Sequence, residues 1–394
     1  MTKVILKPKR AQPFFGRHPW VYAGAIDRVD GQPKDGDEVD LVSSADNFVA
    51  RGLFNSQSKI HVRLYCWEQG VELNRAFFRE RVERAVRLRH EILKLNGPDA
   101  GYRVVFSEAD FLSGLVVDRY GDWLTVQFTA LGLANRREMI VDVLRELLKP
   151  RGIYLRTEKG IGKLEGVELH DGPLWGDAPP PDLVIVENGL RVSIDLAEGQ
   201  KTGYYLDQRD NRLAVARLSV GKRVLDAFCY SGGFSLHAAR AGAVEVLGVD
   251  ASEMALELAR RNAAANGITN ATFECADVFR HLADLASAGR QFDVVVLDPP
   301  KFARNRAAVP DALKGYRRLH QLALKLLARD GLLVSCCCTG LITVQELEDI
   351  IGQVAVDQRR DLQILDRRGP SPDHPVAITC PQSGYLKCII SRVY

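Results

Sequence analysis

A chain of 394 residues is long enough for two or three domains, each with its own hydrophobic core. Its 53 Lys and Arg stand against 50 Asp and Glu, a net charge of only +3, which excludes nucleic-acid binding by a global basic excess and leaves local patches as the route. The N-terminus MTKVILKPKR has no signal-peptide core and no apolar run approaches a membrane span. The eight cysteines show neither paired CxxC spacing nor the density of a small secreted scaffold. A cytoplasmic protein with reduced thiols, no zinc and no membrane contact is therefore expected.

In chain order, residues 1–70 read as a small β module. LKPKRAQPFFGRHPWVYAGAI is basic and aromatic, and GDEVDLV, FVARGLF and KIHVRLYCW cluster β-formers between turn residues. Some of Phe14, Phe15, Trp20 and Tyr22 are expected to fill the core, whereas Lys7, Lys9, Arg10 and Arg17 beside them are candidates for RNA phosphate contact. The stretch resembles a PUA domain, an RNA-binding β pseudo-barrel, on Arg17-His18-Pro19-Trp20-Val21-Tyr22 and Phe54-Asn55-Ser56-Gln57-Ser58.

Residues 71–185 come next as a helix and a small α+β middle domain. The apolar spacing over residues 73–95 predicts one helix, whose opposite face carries Arg75, Arg79, Arg81, Arg84, Arg87, Arg89 and Lys94, with Glu80–Arg84 and Glu83–Arg87 as i,i+4 pairs. Two strands around Tyr120-Gly121-Asp122, a helix over 136–148 and a strand over 152–156 complete it. The run Pro179-Pro180-Pro181 is a plausible joint before residues 186–394.

The third part is organised around VLDAFCYSGGFSLHAARAGAVEVLGVD, residues 224–250. It reads as strand, glycine turn at Ser231-Gly232-Gly233, helix over 234–241 and strand over 244–249, a βαβ unit whose second strand ends in Asp250. A carboxylate there accepts the ribose hydroxyls of an adenosine. The turn lacks the full G-x-G-x-x-G pattern, and Asp226 at the first strand's end would repel a pyrophosphate. S-adenosylmethionine, with an adenosine, an ammonium and a sulfonium but no phosphate, suits two acids flanking a glycine turn.

The ordered series Asp226, Asp250, Asp277 and Asp298-Pro299-Pro300 resembles that of the class I methyltransferases, with a Rossmann-like fold. The resemblance makes Asp226, Phe228, Tyr230, Ser231 and Gly232 cofactor-binding candidates at the first motif, Asp250 and Ser252 at the second, Asp277 and Val278 at the third, and Asp298 at the fourth. Asp277 has a competing explanation, as the cap of the helix after it. The prolines hold Asp298 at a strand tip in an extended, rigid loop, facing whatever is methylated.

Upstream, EGQKTGYYLDQRDNR over residues 198–212 has more hydrogen-bonding groups than a plain connector needs. It matches the lead-in motif GxKTGxxLDQRxNR of the RlmI-type 23S ribosomal RNA methyltransferases, as do Lys301 after Asp298-Pro299-Pro300, the DHPV of residues 373–376 and the terminal GYLKCIISRVY. The resemblance runs over essentially the whole chain. It implies an S-adenosylmethionine-dependent RNA cytosine-C5 methyltransferase acting on large-subunit ribosomal RNA, with Thr202, Gly203, Gln208 and Arg209 framing the cofactor, the PUA domain docking RNA, and a homodimer.

Such chemistry needs a thiolate that adds to C6 of the base, because C5 of cytosine is too weak a nucleophile unaided. In LLVSCCCTGLIT, strand alternation puts Cys336 and Cys338 on one face and Cys337 on the other. Cys338 is nearest the strand's carboxyl end and aligns with the cysteine of the family's S-C-S-G motif, so it is the expected nucleophile and Cys337 the alternative. Asp298 is the candidate for protonating or hydrogen-bonding N3. Lys301 is a candidate for lowering the thiolate pKa or for holding a phosphate. His374 reads as a structural hydrogen-bonder or as the base that removes the C5 proton. Two other functions compete: methylation of an exocyclic amine or another base position, which needs no Cys338, and an inactive RNA-binding assembly factor, which would have eroded acids.

Overall fold

The first β-forming segments pair into a six-stranded sheet in the order Trp20–Tyr22, Ile60–Cys66, Phe48–Phe54, Glu38–Val42, Lys3–Leu6, Ile26–Asp30. Neighbours are antiparallel except Lys3–Leu6 and Glu38–Val42, which run parallel. Every second residue, Val4 and Leu6, Val39 and Leu41, Val62 and Leu64, enters one core with Phe14. Gly52 is required there, since a Cβ would lie 2.3 Å from the Arg63 carbonyl oxygen. Phe14 is buried, as expected of a barrel-filling aromatic, while Phe15 and Tyr22 are about half exposed. Lys9, Arg10 and Arg17 are exposed.

The computed structural model describes residues 2–157, 160–196 and 203–394, which divide into two compact units. The first, Met1–Ile185, Ile194–Leu206 and Pro372–Ser383, also contains a five-stranded sheet ordered Gly172–Gly176, Gly152–Leu155, Trp123–Phe128, Leu115–Tyr120, Gly101–Phe106. Helices Arg75–Arg87 and Arg137–Leu148 pack on it through Phe78, Val82, Ile140 and Leu144. Asn74 starts the former by accepting from the Phe77 N–H at 3.1 Å.

The expected helix over 73–95 departs from a regular one. It is α-helical to Arg87 and then continues as a π turn, Leu88–Ile92. A π turn inserts one residue per turn and rotates the side chains downstream of it, so Arg89, read from the spacing as part of the charged face, is fully buried. Its guanidinium pairs with both Asp110 oxygens (2.6 and 2.8 Å) and donates to the carbonyls of Arg103 (2.8 Å) and Asp373 (2.7 Å). Of the two expected surface pairs, Glu80–Arg84 forms, whereas Glu83 pairs with Arg79 instead of Arg87.

The second unit, Val186–Ser193, Asp207–Ser371 and Gly384–Tyr394, is built on a seven-stranded sheet. Its strands are β1 (Arg223–Ala227), β2 (Glu245–Asp250), β3 (Ala271–Cys275), β4 (Phe292–Leu297), β5 (Leu327–Cys337), β6 (Leu362–Arg368) and β7 (Lys387–Val393). Its helices are α1 (Arg209–Leu218), α2 (Gly233–Arg240), α3 (Glu253–Ala265), α4 (Val278–Ser287), α5 (Val309–Leu326) and α6 (Val344–Asp357). The spatial order is β3-β2-β1-β4-β5-β7-β6, with β1 to β5 parallel and β7 antiparallel to both neighbours. One face buries Leu225, Leu247, Val295 and Leu333 under α4, α5 and α6; the other buries Val224, Val246, Val294 and Val334 under α1 and α2. Strands covered on both faces are apolar at nearly every position, which is why they read as near-continuous apolar runs. The order reverses between β1 and β4, and the crevice at their carboxyl ends is where an open α/β sheet takes its ligand.

Removing the guanidinium at Arg89 strands the buried Asp110 carboxylate. Arg89→Ala should cost about 3–5 kcal/mol in urea unfolding, whereas Arg79→Ala, which breaks an exposed pair, should cost less than about 1 kcal/mol.

Candidate active site

Asp226, near the end of β1, is fully buried. Its Oδ2 accepts from the Ser235 N–H at 2.9 Å and the Ser235 hydroxyl at 2.6 Å, so the first turn of α2 aims two donors at the acid. Its Oδ1 is buried with no hydrogen-bond partner among the described residues. Burial pushes the Asp226 pKa up to about 7, opposed by the Ser235 bonds and reinforced by the Asp298 charge.

Between β1 and α2 the chain passes through Phe228 (φ 65°), Tyr230 (φ 49°) and Gly232 (φ 81°). Two non-glycine residues in the left-handed region within one short turn represent stored strain, which site-forming loops carry. Gly232 is needed for space as well, since a Cβ would lie 3.1 Å from the Ala259 Cβ and 3.2 Å from the Phe273 ring. Asp250 at the end of β2 fixes the turn. One of its oxygens accepts from the Tyr230 N–H and the other from the Ser252 N–H, both at 2.9 Å. Ser252 caps α3 through the Ala255 N–H, and Ser231 is buried with a hydroxyl oxygen that has no partner among the described residues. Asp277 caps α4 by accepting from the Arg280 N–H at 2.9 Å, the competing explanation for that acid, and Val278 beside it is buried in the core.

Asp298 comes directly after β4. Its N–H donates to the Ala227 carbonyl (3.3 Å), joining the tips of β4 and β1, and its Oδ2 accepts from Gln208 Nε2 at 3.0 Å. Gln208 is buried and is held in turn by the Asn211 amide, which donates to its Oε1 at 2.7 Å. Arg209 is buried beside it, with Nε 3.1 Å from Asp210. Gly203 belongs to the first unit with φ 134°. Thr202, with Gln200 and Lys201, lies outside the described residues.

The three cysteines separate. β5 ends at Cys337, so Cys338 stands just past the strand. Cys336 packs in one core and Cys337 in the other, while the half-buried Cys338 enters neither. The Cys338 thiol lies 3.8 Å from the Pro299 carbonyl oxygen, beside Asp298. The neighbouring Cys388 thiol and burial hold the Cys336 pKa well above the ordinary range. Lys301 is exposed. Phe228, Phe279, Phe302 and Tyr316 form an aromatic series with successive ring centroids 6.2, 6.2 and 4.8 Å apart. Sequence reasoning missed that series and the buried Lys387, although a lysine inside the apolar run LKCII was a signal for the latter.

The remaining candidates lie in the first unit. Lys9, Arg10 and Arg17 form no ion pair among the described residues. His374 is buried, its ring 5.2 Å from that of Phe106 and its Nδ1 3.3 Å from Asp373, surroundings that suit the structural reading. Among the described residues no group of three or more His, Cys, Asp or Glu is placed to hold a metal ion, and no helix is long and apolar enough to cross a membrane.

A phosphate would be repelled at Asp226, whereas the ammonium of an amino acid would satisfy its unpartnered oxygen. On this strand order, with Asp250 at the tip of β2, that preference defines a class I S-adenosylmethionine-dependent methyltransferase. The family described as S-adenosylmethionine-dependent methyltransferase matches residues 174–385, and the PUA-like domain family matches residues 4–67. Ribosomal RNA large subunit methyltransferase I from Tolumonas auensis is 39% identical, with 99% of each chain covered. Two solved structures, a putative S-adenosylmethionine-dependent methyltransferase from Streptococcus mutans and a putative methyltransferase complexed with SAH, match over all of both chains at 24% identity, with TM-scores of 0.85 and 0.87. The chain belongs to the ribosomal RNA large subunit methyltransferase I family, and its cofactor is S-adenosylmethionine.

The residues fit that cofactor. Asp226 and Ser231 would receive its ammonium end, and Asp250 its ribose. An acid whose pKa rises from 3.8 to about 7 on folding holds its proton more tightly in the native state. Its stabilising contribution is complete below about pH 4 and is lost as pH rises through 7. Thermal unfolding of ligand-free protein should therefore show the wild type losing up to about 4 kcal/mol relative to Asp226→Asn between pH 4 and 8. Calorimetric titration of the same variant should show at least about a tenfold loss of cofactor affinity.

Proposed function

We propose that the protein methylates carbon 5 of a cytosine in large-subunit ribosomal RNA through a covalent cysteine adduct. The observation that carries this reading is the Cys338 thiol just beyond the end of β5, outside both cores and 3.8 Å from the carbonyl of Pro299, next to Asp298. The printed name of the 39%-identical relative supports the RNA class.

The Cys338 thiolate adds to C6 of the base, breaking the C5–C6 double bond and moving its electron pair toward C5. Asp298, once protonated, donates a hydrogen bond to N3 and stabilises the negative charge that develops on the ring, with Gln208 Nε2 holding an oxygen of its carboxyl group in place. S-adenosylmethionine supplies, when bound, an electrophilic methyl group. Loss of the C5 proton to a base then expels the Cys338 thiolate and restores the double bond. A base inside a stack offers C6 to no thiolate, so the target nucleotide is unpaired or flipped. Exposed Lys9, Arg10 and Arg17, with the half-exposed rings of Phe15 and Tyr22, give the first unit a face for phosphates and unstacked bases. Lys301, exposed beside Asp298, is read as a phosphate contact.

Protein-free large-subunit ribosomal RNA incubated with labelled S-adenosylmethionine should yield 5-methylcytidine on nucleoside analysis. Cys338→Ala should lower the yield at least about a hundredfold, and Cys337→Ala should leave it close to wild type. Label in a methylated amine, or full activity without Cys338, would sink the cytosine-C5 mechanism in favour of exocyclic amine methylation.

A further inference from the structure

We propose that Lys387 is the positioning residue for the Cys338 thiolate, pinning the strand tip that carries the sulfur and supplying the positive charge that the ionised sulfur faces. The inference rests on the reading of Cys338 as nucleophile.

Lys387 is the first residue of β7 and stands opposite Cys337 in the antiparallel pairing with β5. It is 7% exposed. Its ammonium donates to the carbonyl oxygens of Thr339 (2.7 Å) and Tyr385 (2.9 Å), and among the described residues no carboxylate forms an ion pair with it. Thr339 is the residue after Cys338, so the first bond fixes the peptide through which the chain leaves the nucleophile. The same carbonyl accepts from the Ile342 N–H at 3.1 Å, which makes it the anchor of the whole turn.

An ammonium buried against two neutral carbonyls is costly, and such groups persist where an anion forms nearby. The resting Cys338 thiol lies against the Pro299 carbonyl, a contact that favours the protonated sulfur and turns repulsive once the sulfur is ionised. A cation on another side of the sulfur favours the thiolate. Among the described residues, the groups near it include Asp298, beside the Pro299 that the thiol touches and a charge that disfavours a second anion, the Tyr316 hydroxyl, which burial keeps protonated, and the Cys336 and Cys337 thiols. Beyond them, His320 is neutral, its pKa pushed down to about 4 by burial, and Glu346 on α6 caps its own helix. Tyr385 is bonded to Asp207, and Lys301 is exposed to water. Lys387 is the buried cation of this set. Burial lowers its own pKa, and negative charge on Cys337 or Cys338 raises it again. By reciprocity, the ammonium favours the thiolate as much as the thiolate favours the ammonium.

The test is the pH dependence of Cys338 alkylation by iodoacetamide in the ligand-free full chain, with peptide mass spectrometry separating Cys338 from the exposed Cys275. Wild type should titrate below the ordinary cysteine midpoint of about 8.5. Lys387→Met, of similar length and without charge, should raise the midpoint by about one pH unit or more and lower kcat about tenfold at pH 7, recovering at higher pH, with the KM for RNA unchanged. Lys387→Arg should stay near wild type. Lys387→Gln keeps a donor to the Thr339 carbonyl without the charge, and its midpoint should rise as well. A wild-type midpoint at or above 8.5, or an unshifted midpoint in a folded neutral variant, overturns the proposal. Because alkylation needs no turnover, these outcomes are independent of whether Cys338→Ala abolishes methylation.

Discussion

A carboxylate sealed from water with one oxygen satisfied and the other bare is the constraint around which the second unit is arranged. Asp226 can be held there because Ser235 reaches it from the first turn of α2, and α2 can start that close because Gly232 and Gly233 carry no side chains. A Cβ on Gly233 would lie 2.5 Å from the Arg212 guanidinium, which is itself locked to Glu187 in a buried pair. The strained turn at Phe228 and Tyr230 is kept in place by Asp250. An unsatisfied buried polar group costs about 1–3 kcal/mol. A cofactor ammonium held at this oxygen would return that stability to the unit.

The same acid is coupled to Asp298. Both stand at the tips of adjacent strands, and the Asp298 charge raises the Asp226 pKa. Two acids so close are tolerable when each has its own donors: Ser235 serves Asp226, and Gln208 serves Asp298. The aromatic series from Phe228 to Tyr316 borders the same tips with apolar surface, which strengthens every charge interaction made beside it. The two acids are in this way linked through one pair of strand ends.

Most of this arrangement is legible in the sequence, because a parallel strand buried on both faces is an apolar run and the acid ending it marks its tip. Asp226, Asp250 and Asp298 all stand where that logic puts them. The features that escaped have local physical causes. A 3.6-residue period puts Arg89 on the charged face because it cannot anticipate a π turn, and the carbonyls it satisfies come from Arg103 and Asp373, the latter 284 positions away. Glu83 had arginines four positions to either side, and spacing alone does not choose between them. Asp277 offered two roles and the geometry displays its cap. The Gln208–Asp298 bond joins two residues whose sequence separation of 90 carries no periodic signal at all.

The run Cys336-Cys337-Cys338 puts one side chain type into three environments within three residues. Cys336 faces one core beside Cys388, Cys337 faces the other, and Cys338 falls past the last ladder position. Intrinsic thiol chemistry is identical in all three, so reactivity is decided by where β5 ends. At the end of β5, Cys337 pairs with Lys387, and the Lys387 ammonium donates to Thr339, beyond the strand. An exposed ammonium such as that of Lys301 acts through water, where two unit charges 4 Å apart exchange about 1 kcal/mol; near protein the figure is about 4 kcal/mol. Distance being equal, the buried lysine outweighs the exposed one. On the proposed reading, the residue paired with the last position of the strand also favours the charged form of the sulfur just beyond it.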